Sequence, residues 1–248
     1  MALRLDRYLS NTGYGSRSEV KRLIKNGMIA LNGKICLDPS TMVDFETNIS
    51  LNGQHIAVKP VSTIMMNKPK GFVSSNESES GYPSVIELIK KPHPTYAIAG
   101  RLDLDTTGLL ILSTQGDLVH SIISPSKKVQ KLYKAVVIHF DPNKTHFFFE
   151  GIPITKDFQT KPVTFFKICD VKAEQYTICL GITEGRFHQV KKMFQMVHSE
   201  VIELERLAIG SLRLDRSLKP GEYKELTETD IRNLFSQPEG NESDDMLK

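Results

Sequence analysis

The chain has 248 residues, of which 40% are hydrophobic and 25% are charged, and its formal net charge at pH 7 is +3. This composition is typical of an ordinary soluble globular protein, and no apolar run approaches the roughly 20 residues that a membrane span needs. Three scattered cysteines exclude a disulfide framework and a zinc site, so we expect small core residues in a reducing cytoplasm: Cys36, Cys169 and Cys179. The first ten residues alternate charge with leucine, which is unlike a signal peptide.

Residues 1–59 have the pattern of a small domain. Ser16 followed by Glu19 predicts a capping box at the start of a helix, and Gly27 lies where that helix should end. Two Asn-Gly pairs, each between short apolar runs, predict hairpin turns: Asn32-Gly33 and Asn52-Gly53. We therefore expect two short helices packed on a small sheet, followed by a linker at Lys59-Pro60-Val61-Ser62.

Residues 60–236 have the pattern of a second, larger domain. Runs of apolar or alternating residues predict strands at Thr63–Met66, Leu109–Leu112, Leu132–Ile138 and Tyr176–Ile182. Helices are predicted from Gln115 to Ile123, across Val190, Met193, Phe194 and Val197, after Asp141-Pro142, and after the cap formed by Thr227 and Asp230. The acidic residues 237–248 have little to bury, so we expect a disordered tail. No coiled coil or long apolar surface helix is evident, which favours a monomer.

The predicted helix after Ser16 has one cationic face. Arg17, Lys21 and Lys25 repeat every four residues, with Arg22 beside them, while the apolar residues face elsewhere. Such a stripe suits the phosphate backbone of a nucleic acid, because each contact releases counterions without reading a base. A solvated helix face is the alternative interpretation.

The wider N-terminal segment resembles the S4 domain, a small RNA-binding module. The resemblance covers about residues 3–50 and is carried by Arg4-Leu5-Asp6-Arg7-Tyr8-Leu9, Gly15–Val20, Lys25-Asn26-Gly27 and the Asn32-Gly33 turn. It implies that this region docks structured RNA, through Arg4 and the basic helix, and performs no chemistry.

The segment from Gly100 to Leu110 is the most informative part of the chain. Asp103, Asp105 and Gly108 match the first positions of a calcium loop, but Thr114 stands where the closing glutamate would have to be. A pair of glycosidase carboxylates would need a geometry that two residues of separation do not supply. An Arg-x-Asp pair that only caps a turn is the remaining simple interpretation.

Four segments in order resemble the motifs of pseudouridine synthases: Asn67-Lys68-Pro69-Lys70-Gly71, Gly100–Leu110, Lys131-Leu132-Tyr133 and Glu184–Phe194. Together with Pro220-Gly221-Glu222-Tyr223 and the S4-like module, they are most similar to the ribosomal small-subunit pseudouridine synthase A family. The resemblance implies an α+β fold, with a small S4-like α/β module and a catalytic domain built on a mixed, mostly antiparallel sheet flanked by helices. It also implies isomerisation of a uridine in 16S ribosomal RNA, or in a small-subunit assembly intermediate, without cofactor or metal.

The same resemblance assigns roles to individual residues. It implies that Asp103 is the nucleophile and that Lys191 is the cation that holds it. Many relatives have arginine at that position, so we expect a point-charge contact rather than a bidentate pair. Arg101 would fill the space left by the extruded nucleotide, and Tyr133 would stack on the flipped uracil. We expect Asp105 to hold the turn.

Further cations near these motifs are candidate RNA contacts, although each one alone is more often a solvated surface charge. The predicted contacts in the larger domain are Lys68, Lys70, Arg186, His188, Gln189 and Lys192. Lysines on both sides of Tyr133, Lys131 and Lys134, also suggest an RNA-facing surface there. Three alternatives stay open: a large-subunit rRNA or tRNA target, a non-catalytic S4-type RNA-binding protein, and, more remotely, a glycoside hydrolase.

Overall fold

The computed structural model describes residues 3–44, 46–56, 62–90 and 93–236. The predicted linker lies outside this range except for Ser62, and the predicted disordered tail lies outside it entirely. In the described part of the chain, no helix is long and apolar enough to cross a membrane.

Within the described part of residues 3–56 there are two helices, α1 (Leu5–Asn11) and α2 (Arg17–Lys25), and six short strands. The strands are β1 (Leu3–Arg4), β2 (Ile29–Leu31), β3 (Lys34–Ile35), β4 (Met42–Val43), β5 (Ile49–Leu51) and β6 (Gln54–His55). Strands β3-β2-β5-β6 form an antiparallel sheet and β1 pairs with β4. Leucine, isoleucine and valine side chains from both helices and the sheet form one core.

Local sequence signals explain this part of the fold. The Ser16 hydroxyl accepts a hydrogen bond from the backbone N–H of Glu19, whose carboxylate accepts one from the Ser16 N–H, as the capping box predicts. Asn32 and Gly33 have φ angles of 49° and 82°, the left-handed values of a tight hairpin turn. The two helices and both hairpins predicted from sequence are confirmed.

The described residues between 62 and 236 form one nine-stranded sheet, a separate two-stranded sheet and four α-helices. Its strands are β7 (Thr63–Lys68), β8 (Ala97–Ala99), β9 (Thr107–Ser113), β10 (Lys131–Ile138), β11 (Pro153–Thr155), β12 (Phe158–Gln159), β13 (Phe165–Lys172), β14 (Gln175–Ile182), β15 (Glu200–Ile209), β16 (Leu212–Arg213) and β17 (Tyr223–Glu225). Its helices are α3 (Gly116–Ile123), α4 (His146–Glu150), α5 (Gln189–Met196) and α6 (Glu228–Asn233), with 3₁₀ turns at Val85–Leu88 and Pro142–Lys144.

The strand order is β13-β14-β10-β15-β9-β7-β17, with β16 beside β15 and β8 beside β9. Every pair in this sheet is antiparallel except β15 with β9, which is parallel. Apolar side chains form separate cores, one that includes α4 and α5 and another that includes α3. The mixed, mostly antiparallel α+β fold is therefore confirmed.

The parallel pairing brings the segment before β9 close to β10 and β15. Gly108, with a φ of +101°, pairs with Arg206, and a Cβ placed on Gly108 would lie 2.4 Å from the Arg206 carbonyl oxygen. Only glycine allows this approach of two backbones. The loop of residues 100–106 is thereby held against the middle of the sheet.

The expectation that all cysteines lie in the core is wrong for Cys169. Cys179 is buried on β14, Cys36 is partly buried, and Cys169 is exposed. Strand β13 is at the edge of the sheet and shifts its register next to Cys169, so the residues around it lack a covering layer.

Candidate active site

The loop of residues 100–106 is fixed by backbone hydrogen bonds. The buried Ser74 hydroxyl accepts from the Leu102 N–H at 3.0 Å and donates to the Leu102 carbonyl at 2.8 Å. Within the loop, the Thr106 N–H donates to the Asp103 carbonyl at 3.1 Å. Side-chain and backbone bonds on both sides therefore set the direction in which the Asp103 carboxylate points.

Lys68 also holds the loop of residues 100–106 in place, through hydrogen bonds to its backbone. Its side chain is fully buried, and its ammonium donates to the carbonyl oxygens of Pro69, Asp103 and Thr106 at 2.9–3.0 Å. These bonds use all three N–H groups of the ammonium. The prediction of an RNA contact at Lys68 is therefore corrected, because no donor or surface remains for RNA. Burial lowers the pKa of Lys68 to about 8, against the opposing effect of the Asp103 and Asp105 carboxylates.

Asp103 is surrounded by basic side chains and is partly accessible. Its carboxylate lies 3.7 Å from Lys191 Nζ and 3.4 Å from His188 Nε2, with 23% of the side chain exposed. Lys191 also donates a hydrogen bond of 2.5 Å to Asp105 Oδ1. Although partial burial raises the pKa of Asp105, the hydrogen bond and charge of Lys191 outweigh it and keep that pKa below its usual value. The arrangement therefore favours the ionised form of Asp105.

Gln189 orders the loop before α5. Its side chain is buried, donates to Glu184 Oε1 at 2.7 Å and accepts from the Arg186 N–H at 2.9 Å. The Glu184 oxygen also accepts from the Lys161 N–H at 2.9 Å. The prediction that Gln189 binds RNA is corrected, because these partners occupy its amide inside the protein.

A cavity of about 90 Å³ opens beside Asp103. Tyr133 lies in its wall, and the apolar part of the lining comes from Ile182, Val190 and Leu204. Its volume is far below the several hundred Å³ of a typical pocket for a larger ligand, so it suits a single small ring. Of the residues predicted from sequence, Arg101, Arg186, His188 and Gln189 also line this cavity.

The cavity wall includes polar residues that the sequence did not single out as site residues: Thr106, Lys131, Glu184 and Arg206. The inference that Lys131 faces RNA at the surface is wrong. Its side chain is buried and donates to the Ile122 carbonyl at 3.1 Å. A lysine in an alternating strand gives no local sign of burial, which here comes from the packing of α3 against the sheet. Among the described residues, no cluster of histidine, cysteine and carboxylate side chains could hold a metal ion.

Comparison with known proteins agrees with this geometry. The model of the RNA pseudouridylate synthase family matches residues 62–196, more than half of the chain. The chain belongs to the RNA pseudouridine synthase family. An S4 domain model matches residues 3–49 of the same synthase.

Several relatives extend over nearly the whole synthase. An uncharacterised RNA pseudouridine synthase of Bacillus subtilis is 38% identical, with 96% of this chain and 100% of that protein covered. A Pasteurella multocida protein named ribosomal small subunit pseudouridine synthase A is 35% identical over 92% of this chain and 98% of its own. A solved structure titled as a pseudouridylate synthase superposes with a TM-score of 0.65 at 33% identity, covering 94% of this chain and 99% of that one.

Basic and aromatic side chains are exposed in and next to the motifs of the synthase, and two of them, Arg101 and Arg186, line the cavity. Arg101 is 68% exposed and lies 3.4 Å from Glu79. Arg186 lies over the ring of Phe158 at 4.0 Å, and Lys192 Nζ lies 5.2 Å from the centre of the Phe187 ring. Lys70 is also exposed. Phe187 is 74% exposed, and its position among cations in the C-terminal motif could have marked it as a surface residue near the site.

The basic face of α2 is accessible in the synthase. Arg17, Lys21, Arg22 and Lys25 are all exposed, while Val20 and Ile24 are buried in the S4-domain core. Asp6 lies 2.9 Å from the Arg4 guanidinium and 3.9 Å from Lys21 Nζ, although about half of each basic side chain stays exposed. The helix thus presents exposed cationic groups, and Asp6 neutralises part of the charge of Arg4 and Lys21.

Proposed function

We propose that this synthase isomerises one uridine of 16S ribosomal RNA to pseudouridine, with Asp103 as the nucleophile. The 16S target is supported by relatives named ribosomal small subunit pseudouridine synthase A, which match over more than nine-tenths of the chain. The role of Asp103 is supported by its place beside a ring-sized cavity, 3.7 Å from Lys191. That juxtaposition of carboxylate, cation and cavity carries the proposal.

The proposed reaction needs a base that has left the RNA stack. The target uridine flips out so that its uracil enters the cavity and stacks on Tyr133. The Asp103 carboxylate attacks C1′ as the C1′–N1 bond breaks, and the bonding electrons leave with the uracil. The uracil turns over, C5 bonds to C1′, and the bond between Asp103 and C1′ breaks, which regenerates the carboxylate. C5 then loses its proton and N1 gains one, so the atoms and charges balance without any redox step.

Charges around the cavity support this sequence of steps. Lys191 orients the carboxylate of Asp103 by a point-charge contact at 3.7 Å. Arg101, which is exposed at the mouth, is suited to fill the space that the flipped nucleotide leaves and to contact a phosphate. His188 lies near Asp103 but has no serine or cysteine partner within its motif, so we assign it to RNA binding.

The S4 domain supplies the docking surface in this proposal. The cations of α2 are placed to contact phosphates, which fixes where the RNA lies without reading its sequence. A substrate in the form of free 16S rRNA or of a small-subunit assembly intermediate, in the cytoplasm, would satisfy this requirement.

The proposal is tested by incubating the synthase and its Asp103→Asn variant with unmodified 16S and 23S transcripts. Pseudouridine is mapped by carbodiimide-dependent stops of primer extension. One stop in 16S rRNA that is absent with Asp103→Asn is the expected result. A stop only in 23S rRNA, or modification of tRNA instead, would overturn the small-subunit target, and binding without any modification, even of an assembly intermediate, would overturn the catalytic function.

A further inference from the structure

Thr106 carries a buried polar atom that the fold does not use. The residue is 1% exposed, and its Oγ1 has no hydrogen-bond partner. The Thr106 backbone, in contrast, is fully engaged, since its N–H donates to Asp103 and its carbonyl accepts from Lys68. Buried hydroxyls without a partner are rare and costly. This one lines the cavity beside Asp103, so a ligand placed there can supply the missing partner.

Two buried cations line the same cavity without a carboxylate partner. Lys131 is 8% exposed and Arg206 is 2% exposed, and among the described residues neither forms an ion pair within 4.0 Å. Their partners are backbone carbonyls: Ile122 for Lys131, and Leu109 and Gly100 for Arg206. These bonds use one of three N–H groups of the ammonium and two of five of the guanidinium. Two positive charges are therefore buried here without a directly paired carboxylate, which is unfavourable unless a negative group arrives.

The sheet register groups these side chains around Tyr133. Lys131 precedes Tyr133 by two residues on β10, so both side chains point to the same face. Arg206, on β15, is the cross-strand partner of Tyr133. Thr106 directly precedes β9, which pairs with β15. The aromatic ring and the three polar groups thus belong to one continuous wall.

The chemistry of the reaction produces negative charge in this cavity. When the C1′–N1 bond breaks, the bonding electrons stay on the uracil and spread from N1 to its carbonyl oxygens. Hydrogen-bond donors fixed in a dry site stabilise such a charge strongly, because they need no reorganisation. A phosphate is a less suitable occupant, since its charge would remain at the mouth of the cavity with the rest of the RNA backbone.

We propose that Thr106, Lys131 and Arg206 bind the carbonyl oxygens of the flipped uracil and stabilise the departing uracil anion. This assignment rests on the proposed function, in which Asp103 attacks a base held by Tyr133. It adds a leaving-group site to the nucleophile and divides the cavity into an apolar part for the ring and a cationic part for its oxygens.

The test measures the single-turnover rate and RNA affinity for Lys131→Met, Thr106→Val and Thr106→Ser. We expect the rate to fall by about 100-fold in Lys131→Met, as for the loss of one donor from an oxyanion site, with affinity changed less than about twofold. Thr106→Val should lose about tenfold and Thr106→Ser should recover most of it, since serine restores the hydroxyl. Lys172→Met is the control, because this lysine belongs to the same sheet, is exposed and does not line the cavity.

A substrate that carries 5-fluorouridine at the target separates leaving-group stabilisation from a structural role. Fluorine withdraws electrons and makes uracil a better leaving group, so the defect of Lys131→Met in consuming the target nucleoside should shrink. The assignment would be overturned if Lys131→Met were equally defective with both substrates, or if Lys131→Met and Thr106→Val reacted at the wild-type rate. In either case, an inactive Asp103→Asn variant would leave the proposed function standing. Inactivity of the wild-type chain on every RNA would instead remove the proposed function itself. If Lys131→Met does not fold, the Thr106 pair decides, and loss without recovery by serine counts against the proposal.

Discussion

Lys191 serves two carboxylates at once, since it donates a hydrogen bond to Asp105 and lies 3.7 Å from Asp103. The two acids differ in exposure, with 65% of the Asp105 side chain and 23% of the Asp103 side chain accessible. Asp105 thus holds the Lys191 ammonium at a distance from Asp103, the proposed nucleophile, that leaves the Asp103 carboxylate without a direct hydrogen bond from Lys191.

This relationship predicts unequal effects for the two aspartates. Asp103→Asn should abolish turnover, because an amide cannot act as the nucleophile. Asp105→Asn should slow turnover by no more than about 100-fold, the usual effect of a small misplacement of a catalytic group. Single-turnover rates of both variants check this, and complete inactivity of Asp105→Asn would contradict the assignment of the nucleophile to Asp103 alone.

The buried Lys68 predicts a loss of stability rather than of RNA binding. Lys68→Met should lower the free energy of unfolding by about 3 kcal/mol or more, since three buried carbonyl oxygens lose a charged donor. Urea denaturation measures this change. The exposed Lys70→Met variant is the control and should change stability by less than about 0.5 kcal/mol. Equal stability of the two variants would show that the hydrogen bonds of Lys68 to the loop contribute little.

Local signals made much of the fold predictable. The capping boxes at Ser16 and Thr227 and the turn at Asn32-Gly33 depend on residues close in sequence, and each forms as predicted. Residues of the candidate site could be predicted only where they belong to one of the sequence motifs. Lys68 and Gln189 look like surface residues in their motifs, and their burial depends on distant segments that close over them.

The same reason explains the residues that were missed. Arg206 belongs to β15, far from Asp103 in the sequence, and it reaches the site through the parallel pairing of β15 with β9 and the antiparallel pairing with β10. Glu184 becomes important because Gln189 and the Lys161 N–H both converge on it. A polar residue in a strand does not indicate by itself which face of the sheet it joins.

We expect the activity to fall in mild alkali, because two buried lysines, Lys68 and Lys131, lose their charge there. Burial lowers the pKa of both Lys68 and Lys131 to about 8. At Lys68 the nearby carboxylates partly oppose the lowering of the pKa, and at Lys131 the positive charge of Arg206 lowers the pKa further. Both are therefore cations below that pH and lose the proton as the pH rises through it. The single-turnover rate should fall between about pH 8 and 9, since Lys68 then lacks one of its three donors. RNA affinity measured at each pH is the control, and a rate that stays constant to pH 9 would contradict the prediction.

A substitution of Gln189 tests whether this residue holds the loop before α5 in place, through its hydrogen bond to Glu184, or contacts RNA. Gln189→Ala removes a buried amide and leaves the Glu184 carboxylate with one fewer donor, so stability should fall by about 1–3 kcal/mol. Turnover should also fall, because the loop before α5 carries His188 and leads to Lys191. RNA affinity should change little, since the amide of Gln189 is bonded inside the protein. Weaker RNA binding with normal stability would instead support the prediction that Gln189 contacts RNA.

Substitutions on the exposed basic face of α2 should weaken RNA binding but leave the reaction rate of bound RNA unchanged. Replacing Arg17, Lys21 and Lys25 together by alanine removes three cations whose apolar neighbours stay in the core, so the domain should remain folded. The slope of log affinity against log salt concentration should become shallower by about 2–3, as each lost phosphate contact removes about 0.7–0.9. The single-turnover rate at saturating RNA should be unchanged, because these residues lie outside the cavity. Lys172→Ala is the control, since that lysine is exposed on an edge strand and already pairs with Asp170. If the slope is the same in the triple variant and the wild type, the basic face of α2 is a solvated surface and the RNA docks elsewhere.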